Sequence, residues 1–354
     1  MFNCPGNRKM VEDKPLVSVV VVTLDRADLL KQCLLSLSEQ DYPRMEVIVV
    51  DNGSSEDIAG MLNRWFPSVR CIRLEKNIGF AGGSNRGIKS SNGKYIALIN
   101  NDAAASPSWL SSMVRAAEAD ARVGAVGSLV VDGNNPTVLD SCGVRIALDG
   151  MSRQAMVGCP VPHFPVPMEV LAVSGCACLL RRSTIEQTGI FDERFFAYCE
   201  DTDLCLRLRR ACWKIVIAPD ANVTHYYSRT AGPFSLKKIF WLERNHFWVA
   251  FKNFPKRLLP LVPFVSAWRC VILAYAAIRR LGPSRPVISD RGPLALACTL
   301  LAAQFAAVAG LPIMLWQRLT LRPPHRLSGT EMCHLLFRFR ISVYDIITGN
   351  ADKN

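Results

Sequence analysis

The chain has 354 residues, half of them apolar, with 42 Lys and Arg against 30 Asp and Glu. At about 150 residues per domain that length suggests two units, with ample apolar surface for a buried core. Its 13 cysteines are odd in number and lack a Cys-x-x-Cys pair, only Cys176-Ala177-Cys178 lying close, which argues against a zinc site or disulfide framework and fits a reduced cytosolic compartment.

Residues 1–15 form a polar tail with no apolar run, so no signal peptide is expected. Leu16 to Thr23, Glu46 to Asp51, Val69 to Leu74 and Tyr95 to Asn100 are β-branched or apolar runs separated by helical segments, a pattern that predicts a parallel α/β sheet. Between the first two runs, Leu29, Leu30, Cys33, Leu34 and Leu37 share one helical face, which reads as core packing. Three strands end in polar residues: Thr23 with Asp25 and Arg26, then Asp51-Asn52-Gly53-Ser54, then Asn100-Asn101-Asp102. Ligands bind at that edge of an open α/β sheet, and an acidic oxygen ligand there suits a divalent cation holding a diphosphate. Asn52-Gly53 is equally a turn signal, whereas Asp51 is the better candidate for a base or ribose hydroxyl. Asn77 to Gly87 is a glycine-rich passage into a short helix; no Gly-Lys-Ser/Thr follows it, so it is not a P-loop. Ser106-Pro107-Ser108-Trp109 then opens a further helix.

The stretch from Ile190 to His225 is the most informative. Phe191-Asp192-Glu193-Arg194-Phe195-Phe196 runs into Glu200-Asp201-Thr202-Asp203 ahead of an apolar helical pattern, and the stretch ends at His225. Carboxylates at a helix N-terminus are held ionised by backbone N–H groups and the helix dipole, although acidic caps are also common without chemistry. His225, at the end of an Asn222-Val223-Thr224 strand, is read either as an ordinary histidine or as a metal ligand.

The order of these motifs resembles glycosyltransferase family 2, the inverting nucleotide-sugar transferases with a GT-A fold. It looks most like the rhamnosyltransferase-type branch of surface-polysaccharide enzymes, over roughly residues 16 to 230. The resemblance implies a Rossmann-like, mostly parallel sheet flanked by helices. It implies that Thr23, Asp25, Arg26, Asp51, Asn52, Asn77, Gly79, Gly82, Asn85, Asn100 and Asn101 surround the nucleotide-sugar donor. Asp102 and His225 would hold Mg²⁺ or Mn²⁺. The family's metal motif is often Asp-x-Asp, and here Asn100 takes the first acidic position. Asp201 would be the base that takes the acceptor hydroxyl's proton during an inverting displacement, with Glu200 orienting the acceptor.

Residues 231–354 carry 17 basic and 5 acidic side chains, whereas residues 1–230 carry 25 of each, so the whole net charge of +12 lies in the last third. That third also holds two apolar stretches, Leu258 to Ile278 and Leu294 to Trp316. Basic and apolar features together suit an anionic membrane surface rather than nucleic acid. Arg269 is costly at a bilayer midplane, and two crossings would put Arg279, Arg280, Arg285 and Arg291 outside, so a hairpin in the cytoplasmic leaflet is favoured over two spans. The chain is thus expected to divide into a polar tail (1–15), a GT-A domain (16–230) and a membrane-association region (231–354) at the cytoplasmic face of the inner membrane. Its substrates would be a nucleotide sugar, with dTDP-rhamnose the best guess, and a polyprenyl-diphosphate-linked glycan. Arg244-Asn245-His246, ahead of Lys252, Lys256 and Arg257, would meet the lipid diphosphate, or these basic residues would serve as a plain membrane-surface anchor, which is favoured. The rivals are an inactive membrane scaffold, motivated by Asn100, and a sugar nucleotidyltransferase, which lacks its expected loop after the first strand.

Overall fold

The computed structural model describes residues 14–226, 235–278, 292–320, 325–343 and 345. Expectations for residues 1–13 and for Arg279, Arg280, Arg285 and Arg291 lie outside the described residues.

The first four apolar runs form adjacent parallel strands: β1 (Val17–Thr23), β2 (Met45–Asp51), β3 (Arg70–Arg73) and β4 (Tyr95–Asn100). Helices α1 (Ala27–Ser38), α2 (Ile58–Trp65) and α3 (Gly79–Lys89) connect them. Both faces of β1 are covered, which is why the strand is apolar throughout instead of alternating. Val17, Val19 and Val21 meet Leu30, Cys33, Leu34 and Leu37, while Val20 joins Ala81 and Ile88 on the other side. Truncating one of these, such as Leu34→Ala, is expected to cost about 2–5 kcal/mol. The register sets Thr23 opposite Asp51 and Val22 opposite Asn100, so the polar strand ends line up in one row.

The second half adds β5 (Ala103–Ala105), α4 (Trp109–Ala119), β6 (Val123–Asp132), β7 (Asn135–Ser141), the hairpin β8 (Val144–Ile146) and β9 (Ser152–Gln154), and β10 (Met168–Glu169). After them come β11 (Ala177–Arg181), α5 (Arg182–Thr188), α6 (Glu200–Arg210) and β12 (Lys214–His225). The main path through the sheet is β10-β12-β6-β11-β4-β1-β2-β3, with β11 antiparallel to both β4 and β6. The long strand β12 pairs with β6 along one edge up to its last residue, and its final three residues also pair with β5 on the other edge, setting His225 opposite Ala103 and therefore beside Asp102.

Four helices follow: α7 (Leu236–Asn253), α8 (Leu261–Ile278), α9 (Pro293–Thr320) and α10 (Gly329–Arg338). The α7 helix lies between the sheet domain and α9. Its Lys252 and Asn253 bond Asp203 of α6, and the Trp248 indole donates to the Ala307 carbonyl of α9 at 3.0 Å against Gly310. Arg269 of α8, which the sequence marks as costly in lipid, is buried in protein. Its guanidinium donates to Asp149, between β8 and β9, and to both oxygens of Glu243 on α7. Among the described residues one helix, α9, is long and apolar enough to cross a membrane.

Candidate active site

Along the strand ends, Thr23 Oγ1 accepts from Asn101 Nδ2 at 2.9 Å and donates to the Asp25 carbonyl. Asp25 and Arg26 both adopt left-handed backbone, with φ of 56° and 60°. The turn holds because Asp25 Oδ1 accepts from the Ser55 N–H and hydroxyl and the Glu56 N–H, and those bonds keep its pKa below the usual carboxylate value. Glu56 in turn accepts from the Arg26 and Ala27 N–H groups. Asp51 is fully buried: Oδ1 accepts from the Ser54 N–H at 2.8 Å, and Oδ2 has no hydrogen-bond partner and faces Arg73 at 3.4 Å. A buried carboxylate oxygen left open at a strand's carboxyl end is what a ligand hydroxyl or N–H would satisfy.

Several polar residues of the row act as framework. Asn52 Nδ2 donates to the Asn77 side chain and the Gly79 carbonyl, and Asn52 Oδ1 accepts from the Ile78 N–H, which ties β2 to the glycine-rich loop. Asn85 donates to the Phe191 carbonyl and Glu193 and accepts from the Phe191 N–H. The glycines bring backbone elements together: a Cβ at Gly79, where φ is 81°, would strike the Phe196 carbonyl, and one at Gly82 would press on Ile78. The turn reading of Gly53, where φ is 84°, agrees with its close approach to Lys76.

The turn at Gly175-Cys176 gathers the rest. The Cys176 carbonyl accepts the Asn100 N–H at 2.8 Å, and the Gly175 N–H donates to Asp201 Oδ2 at 2.9 Å. Asp201 is not the cap of α6; Cys199 holds that position in left-handed backbone, and Asp201 stands in the first turn with Oδ1 accepting from its neighbour's N–H, on Thr202. Burial raises the Asp201 pKa, and the N–H donors of Gly175 and Thr202 only partly offset it. Beside it Glu200 is buried with Oε2 unpartnered, and burial followed by the Asp201 charge pushes its pKa well up.

Asp102 and His225 meet at 3.3 Å between Oδ1 and Nε2, while His225 Nδ1 bonds Asp140 Oδ2 at 2.8 Å. A carboxylate on Nδ1 fixes the ring and turns Nε2 toward Asp102, the orientation in which a histidine can join a carboxylate on a cation. Burial opposes the imidazolium, yet Cys176, Asp102 and Asp140 overcome this and leave the His225 pKa raised, so the position favours positive charge. The donor set fits a divalent cation. Among the described residues no three His, Cys, Asp or Glu side chains enclose one by themselves, so diphosphate and water oxygens would complete the shell. Asp140, from β7, was not found by sequence reading, because its only signal is register across the sheet: β7 pairs with β6, and β6 pairs with β12.

The loop before Asp201 is strained, with positive φ at Phe196 (66°), Tyr198 (68°) and Cys199 (66°). Such residues cost about 1–3 kcal/mol each and persist only where surrounding structure imposes them. Here α7 imposes them: the buried Asn245 amide donates to the carbonyls of Phe195, Ala197 and Tyr198, and Arg244 donates to those of Arg194 and Phe195. His246 is buried against Ser266 and Arg269. This polar triplet, expected at the lipid diphosphate or the membrane surface, therefore turns inward and shapes the loop.

An open α/β sheet with an acid-lined carboxyl edge and an antiparallel β11 is the GT-A glycosyltransferase arrangement, and solved structures share it. GalNAc-T7 with UDP, GalNAc and Mn²⁺ superposes with a TM-score of 0.60 at 15% identity, over 85% of this chain and 59% of that one. Mannosyltransferase PcManGT of Pyrobaculum calidifontis, in complex with GDP-Man and Mn²⁺, gives 0.51 at 20% identity, over 87% and 93%. The family model for glycosyl transferase family 2 matches residues 18–189. N-acetylglucosaminyl-diphospho-decaprenol L-rhamnosyltransferase of Mycobacterium tuberculosis is 30% identical over 240 residues, 61% of this chain and 78% of that protein. O-antigen biosynthesis protein RfbC of Myxococcus xanthus is 27% identical over 248 residues, 67% of this chain but 19% of that longer protein. The chain belongs to glycosyltransferase family 2 and is a glycosyltransferase with rhamnosyltransferase relatives.

Proposed function

We propose that the protein is an inverting, cation-dependent transferase that moves a sugar, with rhamnose from dTDP-rhamnose the first candidate, onto a hydroxyl of a polyprenyl-diphosphate-linked glycan. It would act at the cytoplasmic face of the membrane, in cell-surface polysaccharide synthesis. The observation that carries the reading is Asp201, a carboxylate with raised pKa held by two backbone N–H groups at the turn that also touches Asn100 and His225. A base of that kind accepts the acceptor hydroxyl's proton as its oxygen attacks the anomeric carbon, and general-base help is worth about a hundred- to ten-thousand-fold. Asp51, with one buried oxygen open, is suited to the nucleotide. Asp102 and His225, steadied by Asp140, would hold Mg²⁺ or Mn²⁺, which supplies charge stabilisation for the departing diphosphate. The lipid-linked acceptor is suggested by the name of the mycobacterial relative and by the apolar, basic final third of the chain.

The test is donor binding and slow donor hydrolysis by the purified, detergent-solubilised protein, across dTDP-, UDP- and GDP-sugars, with Mg²⁺, Mn²⁺ or chelator. Cation-dependent binding of one donor with sugar release is the expected result. Binding of none under any cation would favour an inactive scaffold, the reading that Asn100 motivates.

A further inference from the structure

A groove of about 550 Å³ opens between the loop that precedes Asp201 and the apolar helix α9. Asn77, from the glycine-rich loop, and Phe196, five residues ahead of Asp201, form one end of it. Cys298, Thr299 and Ala302 of α9 form the other. Between them lie Leu236, Phe240 and Trp241 of the first turns of α7, and Lys237 is the one charged side chain among the described lining residues. The wall nearest the chemistry is fixed: Trp241 stacks on Phe196 with centroids 4.8 Å apart, on the loop that Asn245 holds from behind.

The lining narrows the choice of occupant. Slots with mostly apolar walls and a few polar groups take apolar ligands with a polar end. A nucleotide or a free glycan would find few hydrogen-bond partners here, and burying its polar groups without them is costly. An isoprenoid chain finds the aromatic and aliphatic walls of Phe196, Leu236, Phe240, Trp241 and Ala302. Beyond the groove, α9 also exposes Leu294, Leu301, Phe305, Val308 and Trp316. A diphosphate head would meet Lys237, with Lys238, 5.3 Å from the Tyr198 ring, next to it.

We propose that this groove binds the isoprenoid chain of the lipid-linked acceptor, its first isoprene units against Phe240 and Trp241 and its diphosphate at Lys237. The proposal rests on the lipid-linked acceptor put forward under Proposed function. It gives α9 a second use: besides offering an apolar surface, it walls a groove that brings the acceptor's head to the loop leading into Asp201.

The probe is a farnesyl-type diphosphate with a diazirine on the chain, photolysed with the full-length protein in lipid nanodiscs and mapped by mass spectrometry. Label is expected within residues 236–241 and at Cys298, Thr299 and Ala302. Ala302→Trp, a substitution at an exposed position, should cut it at least tenfold, as should Thr299→Trp, while Leu301→Trp on the outer face should not. In transfer assays Ala302→Trp should lower kcat/KM for a long-chain acceptor at least tenfold relative to a soluble acceptor with phenyl in place of the lipid. Label confined to Leu301, Phe305 and Val308, or both tryptophan variants matching wild type in labelling and transfer, would overturn the groove while leaving a lipid-linked transferase standing. Groove labelling by the probe with no transfer to any lipid-linked acceptor would keep the prenyl site and remove the functional reading instead.

Discussion

Asp201 and Asp203 stand two residues apart in the first turn of α6, yet their surroundings drive them in opposite directions. Burial raises both. For Asp203 the charges of Lys252 and Arg207 and the Asn253 amide reverse this and hold its pKa at about 2. Asp201 meets only neutral donors, from Gly175 and Thr202, and stays raised. The underside of α6 is thus a charge network, which Asp192 joins through the same Lys252 ammonium at 2.9 Å, and Asp201 stands outside it. Neighbouring acids pushed apart in this way mark which one does chemistry and which one holds the fold.

The sharpest way to break this contrast is Asp201→Asn. It should lower kcat by about a hundred- to ten-thousand-fold, the usual worth of a general base, with donor affinity by titration calorimetry kept near wild type. A loss confined to donor affinity would return Asp201 to a binding role. Lys252→Met probes the other side. It removes the ammonium that Asp192 and Asp203 share, leaving Asp192 with Arg194 and Asp203 with Arg207, and should cost about 3 kcal/mol in denaturant unfolding. A stable variant with lost activity would mean that the network serves chemistry after all. A smaller effect is expected at Asp140→Asn, which frees the His225 ring without removing a ligand: Mn²⁺ affinity, read by electron paramagnetic resonance, should fall about 10–100-fold. Unchanged Mn²⁺ binding would release Asp140 from that role.

The two acids also separate in pH. A general base works ionised, so activity is lost as pH falls through the raised pKa of Asp201, above the ordinary aspartate value of about 3.9. Asp203 has a depressed pKa. Its stabilisation is fully present above the unfolded value and is lost only as pH falls through about 2. There should be an acidic range in which circular dichroism still reports a folded chain while transfer has dropped about tenfold per pH unit. Coincident loss of structure and transfer would mean that a different group controls the acid limb.

Much of the sheet was legible because buried parallel strands must be apolar throughout, and the runs ending at Thr23, Asp51 and Asn100 end there in the structure too. The core face of α1 was legible by period, with Leu29, Leu30, Cys33, Leu34 and Leu37 all buried. Site geometry was less so, because a motif names residues without saying which way they turn. Asn52 and Asn85, read with the nucleotide, spend their amides on neighbouring protein groups, and Asn77 spends its side-chain oxygen on Asn52 and the Gly79 N–H. Arg269 was read as a cost that disfavours a bilayer span, and its acidic partners at positions 149 and 243 are visible only once α8 is folded against α7 and the β8–β9 hairpin. Asp140 and Asn245 act through register and helix docking, which no local pattern encodes.

The smallest effect is expected at Glu200→Gln, and it discriminates most finely between neighbours. Glu200 is as acidic by sequence as Asp201 and was read as orienting the acceptor. Burial and the Asp201 charge push its pKa well up, which favours the neutral carboxyl, and its Oε2 lacks a partner. Glutamine reproduces a neutral carboxyl's shape and can donate a hydrogen bond as the acid does. Transfer rate and acceptor KM should then stay within about threefold of wild type, against the far larger loss for Asp201→Asn. A loss at Glu200→Gln as large as at Asp201→Asn would show that a proton moves between the two acids during the reaction. Asp201 would then be one half of a base shared with Glu200, and the division of labour on α6 would run between the pair and Asp203.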